Sequence, residues 1–223
     1  MGAVIGDVLP LAVAVLISPI PVIAAILMLL APQARAASVG FMVGWLVGIV
    51  VALVVFVALA AVIPQEDDDV SHPVAGTVKI VLGLLMLALA LRQWRGRPHE
   101  GAEPALPAWM AAIDTMTLAR ATALGFALSA INPKNLLMTA SAGVLIGTAD
   151  LPVGDVAVVI AVFTVVAGAS VAVPVTGYLV ARERMTAPLQ SLRVWLVHNN
   201  AAVMAVLLLV VGATMVGKGI GSF

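Results

Sequence analysis

Residues 117–148 read TLARATALGFALSAINPKNLLMTASAGVLIGT, and beyond Arg120 their one charge is Lys134. As a single straight helix these 32 residues would measure about 48 Å against a hydrocarbon core of about 30 Å. Pro133 stands near the middle. It lacks a backbone N–H, and its ring displaces the carbonyl of Ser129 four residues earlier. The stretch therefore predicts an apolar helix broken at its centre, with Asn132, Lys134 and Asn135 beside the break.

Residues 5–30 repeat the pattern. Ser18-Pro19-Ile20-Pro21 interrupts an apolar run, and the two prolines are placed to disturb the carbonyls of Val15 and Ile17. Working outward, we read further apolar segments at 38–63, 75–92, 152–180 and 195–217, six in all. Nothing alternates with the ten-residue period of an outer-membrane barrel, so the predicted fold class is all-α, a polytopic membrane protein.

Composition agrees. The 223 residues are 63% hydrophobic and 10% charged, with a mean hydropathy of +1.18; soluble domains average about 45–50% apolar and about 25% charged. This excludes a soluble enzyme, a nucleic-acid binder and a disordered scaffold. Eleven basic and eleven acidic residues leave no net charge, and no cysteine is present for thiol chemistry. The N-terminal run lacks a basic flank, carries Asp7 and continues past Leu30, unlike a cleaved signal peptide.

Loop charges predict the orientation. Arg35, Arg92, Arg95, Arg97, Arg120, Arg182, Arg184 and Arg193 follow the first, third and fifth segments. Asp7, Glu66–Asp67–Asp68–Asp69, Asp150, Asp155 and Lys218 fall on the other side. The positive-inside rule places the arginines in the cytoplasm and both termini outside, in the cytoplasmic (inner) membrane. Trp94, Trp195 and Tyr178 fit an interfacial belt on the arginine side.

A shift of 114 positions lays Ser18–Pro21 on Asn132–Asn135 and Gly40 on Gly154. Ser71-His72-Pro73 then resembles Val197-His198-Asn199 at a slightly larger offset. Three spans per unit make the second unit enter the membrane inverted. The chain thus divides into a first three-helix repeat (1–92), a cytoplasmic linker (93–116) and a second three-helix repeat (117–223), with broken first and fourth helices as in many transporters.

The candidate substrate-binding residues are Ser18, Asn132, Lys134 and Asn135, with Pro19, Pro21 and Pro133 making the breaks. A mid-membrane lysine costs about 2.5–3.5 kcal/mol on insertion scales, and no carboxylate occupies the middle of a span. Lys134 is expected to face an aqueous cavity, to pair with carbonyls of a broken helix, or to await an anionic substrate group. His198, Asn199 and Asn200, read as one turn into the sixth helix, are candidates for a vestibule. No catalytic residue, cofactor or metal site is predicted: the chain has no GxxxxGK[ST], HExxH or GxSxG motif. Gly40–Gly44–Gly48 and Ala121–Gly125–Ser129 offer smooth faces for close helix packing, within one subunit rather than across a dimer.

Two proline-broken segments, SPIP and INPKN, in six inverted spans resemble the lysine exporter superfamily, and more closely its peptidolipid- and sulfolipid-addressing (GAP/Sap) branch in actinobacteria. The resemblance covers nearly the whole chain; these two short motifs are its most specific part. It implies an exporter, and for that branch the movement of cell-envelope glycolipids outward. Lacking cysteine and midplane acids, the chain departs from the reductant- and cation-moving relatives. The expected function is thus an alternating-access exporter of an envelope lipid, a glycolipid or a small solute, its substrate reasonably anionic. A non-transporting accessory protein of a lipid-export or synthesis machine, or a small amino-acid or ion exporter, are the alternatives. Expected partners are membrane lipids and the substrate, no nucleic acid, and either a homodimer or the envelope-lipid export machinery.

Overall fold

The computed structural model describes residues 1–62, 73–96, 113 and 116–222. It is all-helical among these, with no strand. The helices are α1 (Gly2–Leu16), α2 (Pro19–Leu30), α3 (Ala34–Ala61), α4 (Pro73–Arg95), α5 (Leu118–Ala130), α6 (Pro133–Gly147), α7 (Val153–Val180) and α8 (Arg182–Ile220). The acidic run 66–69, Ser71, His72 and most of the linker lie outside the described residues.

Both breaks fall where proline predicts them. Ser18 (φ −68°, ψ 110°) and Asn132 (φ −59°, ψ 121°) each take the extended backbone that a following proline imposes. Pro19 and Pro133 then open new helices at the position where a missing N–H costs nothing. α1 and α2 are bent by 49° at their junction. Four described helices are long and apolar enough to span a membrane, namely α3, α4, α7 and α8, and the bent α1–α2 pair makes a fifth if counted as one span.

The sixth segment departs from its expected bounds. It starts at Arg182 rather than 195 and runs unbroken for 39 residues through Pro188, about 58 Å. Arg182, Arg184 and Arg193 thus belong to a helix and not to a loop. The helix continues because Arg182, Glu183 and Arg184 stay at the surface while Leu189 and Leu196, seven residues apart on one face, are buried.

Burial is arranged as in a membrane protein. The outward faces of the long helices expose Val47, Val54, Leu84, Val165 and Leu209, whereas Leu11, Ile26, Met28, Phe41, Trp45, Ile49, Met138 and Phe163 are fully buried. Without a hydrophobic drive between helices in lipid, close approach supplies the packing energy. The two small-residue stripes face each other across α3 and α5. A Cβ on Gly40 would lie 2.6 Å from the Leu118 carbonyl oxygen, one on Gly44 would strike the Thr122 carbonyl, and one on Gly125 would strike that of Phe41.

α4 and α8 pack in the same way through glycines that the sequence pattern did not single out. A Cβ on Gly83 would come within 2.8 Å of the Gly212 carbonyl oxygen, and one on Gly212 within 2.9 Å of that of Gly83. Gly212→Val is expected to destabilise by about 1–3 kcal/mol through overpacking, read as a lower melting temperature in detergent.

Candidate functional site

Helix breaks free backbone acceptors, and the site is built from the groups that claim them. In α1, the Ser18 N–H would ordinarily reach the Ala14 carbonyl. Instead it donates to Val15 O at 3.0 Å, and the Ile17 N–H donates to Val13 O at 2.9 Å. The Val15 carbonyl, expected to be disturbed, is thus taken, and the carbonyl left over inside α1 is that of Ala14. Lys134 Nζ donates to it at 2.8 Å.

The second break repeats the arrangement. The N–H groups of Ile131 and Asn132 both donate to Ala127 O, which leaves the Leu128 carbonyl over. Asn135 Nδ2 donates to Leu128 O at 2.8 Å. Ala14 and Leu128 are themselves related by the 114-residue shift. Two equivalent orphan carbonyls are thus filled by consecutive side chains from the first turn of α6.

Of the three roles open to Lys134 in the sequence, the geometry shows the pairing with a broken helix. The ammonium is turned inward, 8% exposed. It leaves the positive N-terminal pole of its own helix for the negative C-terminal pole of α1, a favourable exchange for a cation. Asn132 Oδ1 accepts from the Lys134 N–H at 3.1 Å, capping α6. Asn132→Ala is expected to cost about 0.5–2 kcal/mol, the usual loss for an N-cap, measurable by thermal unfolding in micelles.

Ser18 is buried beside the first break, at 3% exposure, and Asn135 is wholly buried, its Oδ1 without a hydrogen-bond partner among the described residues. Pro19 and Pro21 are buried in α2. The breaks therefore bring Ser18, Asn132, Lys134 and Asn135 to one region where α1 meets α6.

His198 and Asn199 bond to their own helix and not to those four, and Asn200 is half-buried, its Oδ1 without a hydrogen-bond partner among the described residues. All three sit more than four turns into α8, not one, because the helix starts earlier than expected. His198 Nδ1 and Asn199 Nδ2 bond to Val194 O and Trp195 O of their own helix at 2.9 Å. His198 and Asn199 line a surface groove with Gln190, Ser191, Val194 and Trp195.

Sequence reasoning missed an apolar cavity of about 530 Å³ that reaches the first break. Leu16, Ile17 and Val22 form one wall, Ser170 and Pro174 of α7 a second, and Met185, Leu189 and Trp195 of α8 a third. Pro174 was its available signal, a proline inside a further apolar run. Among the described residues no group of His, Cys, Asp or Glu is arranged to hold a metal ion.

An all-helical, multi-pass membrane protein with a broken-helix centre and an apolar side cavity is the class these features define. The sequence matches the family described as Sap, sulfolipid-1-addressing protein, over residues 8–221, and the chain belongs to that family. Comparison with curated proteins and with solved structures found no match. Membership connects the chain with lipid addressing at a membrane.

Proposed function

We propose that this chain moves a cell-envelope lipid or glycolipid outward across the inner membrane by alternating access around its two helix breaks. The observation that carries the reading is the apolar cavity set against the α1–α2 break, a place for acyl chains next to the part of the fold least committed to regular hydrogen bonding. The family description, which concerns a sulfolipid, supports the same substrate class.

The proposal includes six spans in two inverted three-helix repeats, with α1–α2 and α5–α6 as their broken first spans. Helix neighbours support it. Exchanging α1 with α5, α2 with α6, α3 with α7 and α4 with α8 turns the contact of α3 with α5 into that of α7 with α1. It also turns the contact of α3 with α6 into that of α7 with α2, and that of α2 with α8 into that of α6 with α4. The arginine face is then cytoplasmic by the positive-inside rule. Asp7 and Lys218, which form an ion pair between α1 and α8, lie on the outer side. Ser18, Asn132, Lys134 and Asn135 line the path.

The test is reconstitution of the purified protein alone. A fluorescent acylated glycolipid placed in one leaflet should become accessible to a membrane-impermeant quencher faster than in protein-free vesicles. Ala169 also lines the apolar cavity, and Ala169→Phe, which fills it, should slow that movement. Movement no faster than in protein-free vesicles would overturn transport by this chain and favour the accessory reading.

A further inference from the structure

At the arginine-bearing end of the molecule, the turn between α2 and α3 meets the junction of α7 and α8 around a pocket of about 480 Å³. Its walls include Gln33, Arg35, Tyr178 and Arg182. Among the described residues neither guanidinium is paired with a carboxylate. Arg182 is held over the Tyr178 ring at 5.6 Å, a cation–π contact that orients it. The first turn of α3, which also lines the pocket, has no side-chain cap, so its N–H groups add positive potential. Two like charges beside a positive helix end repel each other unless an anion lies between them, and guanidinium forks match the oxygens of phosphate and sulfate.

The apolar cavity adjoins this pocket along both helices. Pro174 and Met185 line the cavity, while Tyr178 and Arg182 line the pocket. Pro174 stands four residues before Tyr178, and Met185 three after Arg182, so about one helical turn separates the two spaces on each wall. A charged space one helical turn from an apolar one suits the two ends of an amphiphile. We infer that Arg35, Arg182 and Tyr178 seat the phosphate or sulfate headgroup of an anionic lipid whose acyl chains enter the neighbouring cavity. This rests on the lipid reading above and adds the charge class and its recognition site.

Native mass spectrometry of the purified protein in neutral detergent tests it, with phosphatidylglycerol and phosphatidylcholine as probes and inorganic phosphate as competitor. Phosphatidylglycerol should be retained in preference to phosphatidylcholine. Arg35→Gln and Arg182→Gln should each weaken that retention about fivefold, the usual effect of one basic residue at an anionic lipid surface. Arg95→Gln, outside the pocket, should leave it unchanged. Equal retention of the two lipids, or undiminished retention by the Arg35→Gln/Arg182→Gln double variant, would overturn the headgroup seat. Displacement of the lipid by inorganic phosphate alone would assign the pocket to a free anion and overturn it too. Because binding is read without transport, a protein that moves glycolipid yet fails here loses only this inference. One that binds phosphatidylglycerol but moves nothing loses only the transport reading.

Discussion

Lys134→Met is expected to insert and fold yet lose lipid movement by about ten- to hundredfold. Methionine keeps most of the volume and removes the donor, so the Ala14 carbonyl becomes a buried acceptor with no partner. Such a group costs about 1–3 kcal/mol, which is one to two orders of magnitude in a rate or a population. The loss falls where the first broken helix is held to the second, so it should change the position of α1 before it unfolds the protein. Lys134→Ala adds a void and should melt lower than Lys134→Met. Lys134→Arg keeps the charge but must fit a planar fork where an ammonium sat, and should recover activity only in part. Unchanged movement in both the Met and Ala variants would remove Lys134 from the mechanism.

The second large effect is on assembly. Gly44→Leu or Gly125→Leu should destabilise by about 3 kcal/mol or more, because the added atoms meet backbone of the opposite helix, which cannot rotate away. A gradation makes the argument testable. A Cβ on Gly48 would strike the Ser129 hydroxyl, a side chain that can turn, and approach the Phe126 backbone no closer than 3.0 Å, so Gly48→Ala should cost less than Gly44→Ala. Gly154 has nothing within 4 Å of its added Cβ, and Gly154→Ala should be neutral or raise stability by up to about 1 kcal/mol from helix propensity alone. Melting temperatures in one detergent decide the order. Equal losses at positions 44, 48 and 154 would contradict close α3–α5 packing.

The parts of this fold that were legible in the sequence are those written in side chains. Pro19, Pro21 and Pro133 mark the breaks through a missing donor, and the glycine stripes of α3 and α5 were both visible, though not that each faces the other. The partner of Lys134 was not legible, because any residue's carbonyl looks alike in a sequence; only the break decides that Ala14 has one to spare. The early start of α8 was hidden by three arginines, a glutamate and Pro188, which read as a loop until the buried Leu189 and Leu196 supply an apolar side. That misplaced boundary in turn moved His198 from one turn into its helix to its middle.

The glycine seams carry a mechanical consequence. α3 is locked to α5, and α4 to α8, by main chain lying against main chain, and each of those couples joins an early part of the polypeptide to a late one. The rigid bodies of any gating motion are therefore these interlocked couples rather than the N- and C-terminal portions. The jointed α1–α2 pair stands outside both couples, packed on α3, α6, α7 and α8 and joined to α6 at the Lys134 ammonium, so it is the element that can shift relative to them.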